Sequence, residues 1–229
     1  LSWMILLHLI LMKLQQKFQF VEEKMDRGEH VPTVCIYSIV NIFIHITEVY
    51  YGIIGLYNVE QETVMGLNII RTMLSNFIYD FILCLYGSKT ISKDFMIHHI
   101  FGFVSGIYIY IFPGKILHFV CIGGLQGAST IVLDIILIFR KVPSIKKKYF
   151  YTFTACKIAF ACLFIYLRII LQFQKLHLLI TDDYNIFLKV CAFVYTGLNM
   201  YWGFIIISKL INVILSGLSY IQSLFIVVH

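Results

Sequence analysis

Lys93-Asp94-Phe95-Met96-Ile97-His98-His99-Ile100 opens an apolar run that continues to Ile111-Phe112. The two adjacent histidines lie one helical turn inside it. An imidazole in hydrocarbon is costly unless it meets a partner or a water-filled cavity. The run therefore reads as a buried helix, and its histidines as groups that need polar company from other helices.

The surrounding sequence fits that reading. Of 229 residues, 60% are apolar and 13% are charged, and the mean hydropathy is +0.86. A soluble domain usually carries about 25% charged residues. The apolar residues come in long blocks rather than at amphipathic spacing, which is the pattern of membrane-spanning helices. The net charge of +6 comes from basic residues gathered mainly in the connections. No basic face with interleaved aromatics exists, so nucleic acid is excluded as a partner. The six cysteines all fall in apolar runs without a Cys-x-x-Cys pair, and read as small packing residues.

The expected fold is all-α: a polytopic membrane bundle of about six transmembrane helices plus a short N-terminal helix. Residues 1–12 are apolar but too short to cross a hydrocarbon core of about 30 Å. They read as an interfacial helix or the end of a truncated span, since the chain opens on Leu-Ser-Trp and its native start is expected upstream. Residues 1–30 form this segment with a charged connector, 31–209 the transmembrane domain, and 210–229 an apolar tail broken at Ser216-Gly217. The six spans are expected near 31–57, 64–87, 95–112, 116–139, 149–172 and 186–209. Pro32, Pro113 and Pro143 all lie at span boundaries, where a missing N–H costs least.

This topology puts twelve Lys and Arg on one side of the membrane and two, Lys115 and Lys175, on the other. By the positive-inside rule the basic side is cytoplasmic, or the matrix side in a mitochondrion. His98 and His99 lie near the basic end of the third span. Asp80 and Asp134 fall roughly 10 Å inside the same leaflet, at 1.5 Å per helical residue. The two imidazoles and two carboxylates are thus expected to share a pocket opening toward the basic side. Such a set suits general-base chemistry, the carboxylate fixing the tautomer while the other ring nitrogen takes a proton. The alternative is that both histidines bond neighbouring helices or sit at headgroup level. No third ligand accompanies them, so no metal is expected. Glu48, Arg71 and Arg168 fall in the other half and are expected to pair with one another. Asp94 reads as a first-turn acid or N-cap of the third span.

Four segments together resemble the TLC-domain family, which includes ceramide synthases and translocating-chain-associating membrane proteins. Tyr79-Asp80 followed by Met96-Ile97-His98-His99 is similar to the family's Asp, then Met-x-x-His-His. Gly127-Ala128-Ser129-Thr130-Ile131-Val132-Leu133-Asp134 is similar to its acidic-x-Ser-x-x-x-Leu segment. Phe164-Ile165-Tyr166-Leu167-Arg168 and Leu198-Asn199-Met200-Tyr201-Trp202 follow in the family's order. Ceramide synthases carry acids on both sides of the serine, where Gly127 and Thr130 stand here.

The resemblance implies a helical bundle that binds membrane lipid. One role is a non-catalytic or structural component of a larger membrane assembly, with other membrane-protein subunits as partners. Ser129 and Trp202 would then line the lipid site, and Arg140 and Lys141 would open a basic loop facing anionic headgroups. The other role is N-acyl transfer of the ceramide-synthase type, with His98, His99, Asp80 and Asp134 as catalytic groups. It would use acyl-CoA as co-substrate and no other cofactor. The resemblance points to the endoplasmic reticulum, with the mitochondrial inner membrane as the alternative. A transporter is the third reading, hinted at only by Gly123-Gly124 in the fourth span.

Overall fold

A computed structural model describes residues 2–17, 31–85 and 93–227, all of them helices and short turns. The elements are α1 (Ser2–Lys17), α2 (Val31–Tyr57), α3 (Glu62–Leu85), α4 (Lys93–Ile111), α5 (Ile116–Gly124), α6 (Gly127–Lys141), α7 (Pro143–Lys148), α8 (Phe150–Phe164), α9 (Leu171–Thr181) and α10 (Ile186–Val227). A π-helical turn, Ile165–Ile170, joins α8 to α9. Residues 18–30 and 86–92, with their share of the charge asymmetry, lie outside the described residues. So does the Asp94 side chain with its expected capping role.

Each expected span is helical over its described residues, the fourth divided between α5 and α6 and the fifth running through α8, the π-helical turn and α9. Four stretches are long and apolar enough to cross a membrane by themselves: Cys35–Tyr57, Ile116–Lys141, Phe150–Thr181 and Ile186–Ile211. The α3 helix interrupts its apolar residues with Asn68, Arg71, Asn76 and Asp80, and the apolar part of α4 spans only Met96–Ile111. Both pack inside the same bundle, so the chain is a polytopic helical membrane protein.

The helices close into a ring. Contacts run from α2 to α3, from α3 to α4, from α4 to α10, from α10 to α8–α9, and from α8 through α6 back to α2. The α5 helix fits between α2 and α3 and closes one end. In lipid no hydrophobic driving force holds helices together, so close approach of small residues carries the packing. A Cβ on Gly52 would lie 2.7 Å from the Cys121 carbonyl oxygen, and one on Gly124 would lie 2.7 Å from that of Glu48. Gly127 likewise packs on the His45 backbone. Gly124 is thus a packing residue of the α2–α5 seam rather than part of a transport gate.

Large apolar side chains cover the outside of the ring, and polar side chains are buried within it. Phe43, Tyr50, Ile53, Phe81, Val104, Phe193 and Phe204 face outward, while Ser38, Asn41, Glu48, Asp80, Ser129, Asp134, Gln172 and Thr196 are buried. This is the pattern of a bundle whose outer solvent is lipid. The α1 helix lies against α2 and α3, where Met4 packs with Val40, Ile44, Tyr79 and Leu83.

Three expectations need correction. The fifth span runs to Thr181, and Lys175 is a cavity-lining residue of α9 rather than a loop residue on the far side. Gln172 and Lys175 look like an exit from the membrane, but both turn inward, where polar groups receive Gln172. Ser216-Gly217 does not break the chain, since α10 continues to Val227. Lastly, Glu48, Arg71 and Arg168 do not pair with one another. Glu48 takes His45 on its own helix at 2.7 Å. Arg71 is exposed, bonding Asn68 and lying over the Tyr110 ring. Arg168 turns to hydroxyls of α6.

Candidate functional site

The ring encloses a cavity of about 950 Å³. Its lining runs from Ile116 to Arg140 along α5 and α6. That stretch covers nearly the whole of the candidate span Ile116–Lys141. Most of the wall is apolar (Ile69, Met73, Phe101, Leu133, Ile136, Phe160 and Leu188, for example), and polar groups gather in two places.

The first holds the histidines. His99 Nε2 stands 3.3 Å from Asp80 Oδ2, with Asp80 almost fully buried. His98, one residue earlier on α4, lies between two side chains of α10. The Tyr195 ring centroid is 5.0 Å away and the Trp202 ring 5.4 Å away. Tyr195 and Trp202 are seven residues apart, two turns, and so share one face of α10. Phe77 of α3 meets His99 edge-on at 4.8 Å. Gly102 makes this contact possible, because a Cβ there would sit 2.6 Å from the Phe77 ring. The two imidazoles thus occupy an aromatic collar on three helices, and one of them is oriented by a carboxylate. Behind Asp80, the Tyr37 phenol interacts with Asp80, Asn41 and Asp134.

Asp134 does not join the cavity wall. It is buried on α6, near enough to Tyr37 for its charge to act on the phenol. Of the four expected catalytic groups, the structure brings His98, His99 and Asp80 to the cavity and holds Asp134 back. Ser129, Trp202 and Arg140 also line it. Lys141 lies instead where its charge reaches Cys35 at the start of α2.

The second polar place is a belt that joins Ser129, Thr130 and Arg168 of two motif segments to Gln126, Gln172, Tyr195 and Thr196, which no motif announced. Gln126, in the turn between α5 and α6, donates from Nε2 to Gln172 Oε1 at 2.9 Å and to the Leu167 carbonyl at 3.2 Å. Its Oε1 accepts from the Tyr195 hydroxyl at 3.0 Å. Gln172 passes the chain on to Thr196 Oγ1 at 3.2 Å. Arg168, in the π-helical turn, donates from Nε to Ser129 Oγ at 2.8 Å and from Nη2 to Thr130 Oγ1 at 2.6 Å. The belt therefore ties α6, the π-helical turn, α9 and α10 together at mid-bundle. π-helical turns often mark functional sites, because the extra residue per turn re-aims side chains. Tyr195 belongs to both places, with its ring on His98 and its hydroxyl on Gln126.

A family model described as the TLC domain matches residues 31–227. No curated protein and no solved structure matches the chain.

Proposed function

The chain belongs to the TLC-domain family, and on that premise we propose that it holds one lipid acyl chain in its ring, as a lipid-binding component of a membrane assembly. The observation that carries this is the cavity itself, about 950 Å³ with a largely apolar wall that runs along the bundle. An apolar pocket with a few convergent polar groups is the usual form of a small-molecule site. Here the apolar length takes the chain, and the imidazoles at the aromatic collar meet its polar end. The described connections between helices are short, and the outward apolar faces are available to neighbouring subunits as well as to lipid.

The test is the lipid content of protein extracted in mild detergent. One lipid per chain is expected in native mass spectra, and Ala192→Trp, which fills the cavity from α10, should abolish it while leaving the helical signal intact. Absence of lipid from the wild-type protein would overturn the reading. Co-purifying membrane subunits in the same preparation would support the assembly role, and a lone monomer would count against it.

A second reading, acyl transfer to an amine, is favoured by one observation, the His99–Asp80 pair facing the cavity. In that chemistry the amine nitrogen attacks a thioester carbonyl, an imidazole takes the amine proton, and the thiolate leaves as the amide forms. Asp80 would orient His99, and His98 would stand next to the reacting carbon. Turnover lost in both His98→Ala and His99→Ala at unchanged protein level would support it. Full turnover in both would sink it.

A further inference from the structure

The charges facing the cavity do not balance locally. Of the two carboxylates that line it, Glu48 is engaged by His45 and Asp80 by His99. Five cations line the same cavity, Arg140, Lys157, Arg168, Lys175 and Lys209, and two of them, Arg168 and Lys175, stand seven residues apart across the end of the π-helical turn. Neither has a carboxylate partner among the described residues. Every hydrogen-bond acceptor of Arg168 is neutral: the Ser129 and Thr130 hydroxyls and, at 3.5 Å, the Gln126 carbonyl. The Phe164 ring lies under the guanidinium at 5.7 Å. These contacts fix the plane of the guanidinium and occupy Nε and Nη2, which leaves the two Nη1 protons without a partner among the described residues. Gly123 gives Lys175 its room, since a Cβ there would stand 3.3 Å from the ammonium nitrogen.

A cation at membrane depth costs several kcal/mol unless an opposite charge or water compensates it. A guanidinium held flat with Nη1 open can give a charge-assisted hydrogen bond to a carboxylate or phosphate. Arg168 and His98 line the same cavity, so an anion held by Arg168 would share it with the aromatic collar.

We propose that Arg168, supported by Lys175, forms an anion subsite inside the cavity for the carboxylate or phosphate end of a single-chain amphiphile. The proposal rests on the lipid-holding reading and narrows it, because it makes the ligand acidic.

The experiment uses the full chain in detergent micelles and three probes with the same acyl chain: palmitate, palmitoyl lysophosphatidate and monopalmitoylglycerol, with inorganic phosphate as a fourth. Wild type should bind at least one of the two acidic probes about tenfold or more tightly than the neutral one, the scale of a charge-assisted pair. Arg168→Gln should remove that preference and leave monopalmitoylglycerol binding unchanged, while Arg168→Lys should restore part of it. Because Arg168 also joins α6 to the π-helical turn, Lys175→Met provides a second variant that touches no hydrogen bond of the belt. It should weaken acidic probes several-fold. The better of palmitate and lysophosphatidate identifies the group as carboxylate or phosphate. Inorganic phosphate competing as well as the amphiphiles would overturn the amphiphile assignment in favour of a free anion. Equal binding of acidic and neutral probes, or a preference untouched in both variants, would overturn the subsite and leave the lipid cavity standing. No binding of any amphiphile would overturn the lipid-holding reading and the subsite with it.

Discussion

The two polar places in the cavity are held in different ways. The histidine end is a collar of rings: His98 against Tyr195 and Trp202, His99 against Phe77, with one imidazole–carboxylate contact at 3.3 Å. The belt around Gln126 and Arg168 is a chain of directed hydrogen bonds between four helical segments. Rings tolerate small displacements, because stacking is broad in distance and angle. A buried amide does not, because each lost partner leaves an unsatisfied group in a dry interior. The belt should therefore carry stability, and the collar should carry chemistry.

The largest expected effect tests the belt. Gln126→Leu removes three hydrogen bonds and strands the Tyr195 hydroxyl, Gln172 Oε1 and the Leu167 carbonyl. At 1–3 kcal/mol for each group left unsatisfied, less what water recovers from the cavity, the loss is about 3 kcal/mol. Thermal unfolding in detergent should show it as the lowest Tm of any single variant described here. Next comes Asp80→Asn, which keeps the shape but removes the charge that orients His99. Stability should fall by only about 1 kcal/mol. If the protein transfers acyl groups, turnover should drop about a hundredfold or more, with lipid binding retained. A large Tm loss in Asp80→Asn with a small one in Gln126→Leu would reverse the assignment of roles.

The same contrast explains what was legible in the sequence. The collar was visible because its core is local: His98 and His99 are adjacent, and Asp80 lies near the end of the preceding span. Span positions followed from apolar length, since nothing else places such runs. The belt was invisible because Arg168 reaches partners some forty residues away, through a π-helical turn that no composition marks. Arg168 and Glu48 were expected to pair because opposite charges in the same membrane half suggest an ion pair. His45, three residues before Glu48 on the same helix, was the available signal against it. Gln172 and Lys175 read as the end of a span because polarity along a sequence does not say whether a helix face meets water outside or a cavity within. Asp134 was expected at the pocket by depth alone, and depth does not fix which face of α6 it occupies.

A smaller effect is expected at the glycine seam, which supports both places from the α2 side. Gly124→Ala puts a Cβ 2.7 Å from the Glu48 carbonyl oxygen, so α2 and α5 must separate. Overpacking of this kind costs about 2 kcal/mol. Gly197→Ala in α10, where nothing lies within 4 Å of the added carbon, is the control. It should be neutral or stabilise the helix by up to about 1 kcal/mol. Equal unfolding temperatures for the two variants would mean that the seam yields freely.

The smallest effect bears on what steadies the collar from outside. The Tyr79 hydroxyl meets His8 Nδ1 of α1 at 2.6 Å, and its ring stacks on Tyr37 at 6.2 Å. Tyr37 in turn interacts with Asp80, so the carboxylate that orients His99 leans on α1 through two phenols. The belt has no such outside support, since all its partners lie on the ring helices. Tyr79→Phe keeps the stacked ring and deletes one hydrogen bond, at a cost of about 1 kcal/mol. Its consequence should fall on one side only. Hydrogen exchange should quicken in α1 and in the Asp80 turn of α3, and stay unchanged across Gln126–Thr130 and Arg168–Gln172. Quickening in both regions would mean that collar and belt open as one unit, coupled through Tyr195, which touches His98 with its ring and Gln126 with its hydroxyl. In that case Tyr195→Phe, which keeps the ring on His98 and cuts the bond to Gln126, should confine the quickening to α1 and α3 again.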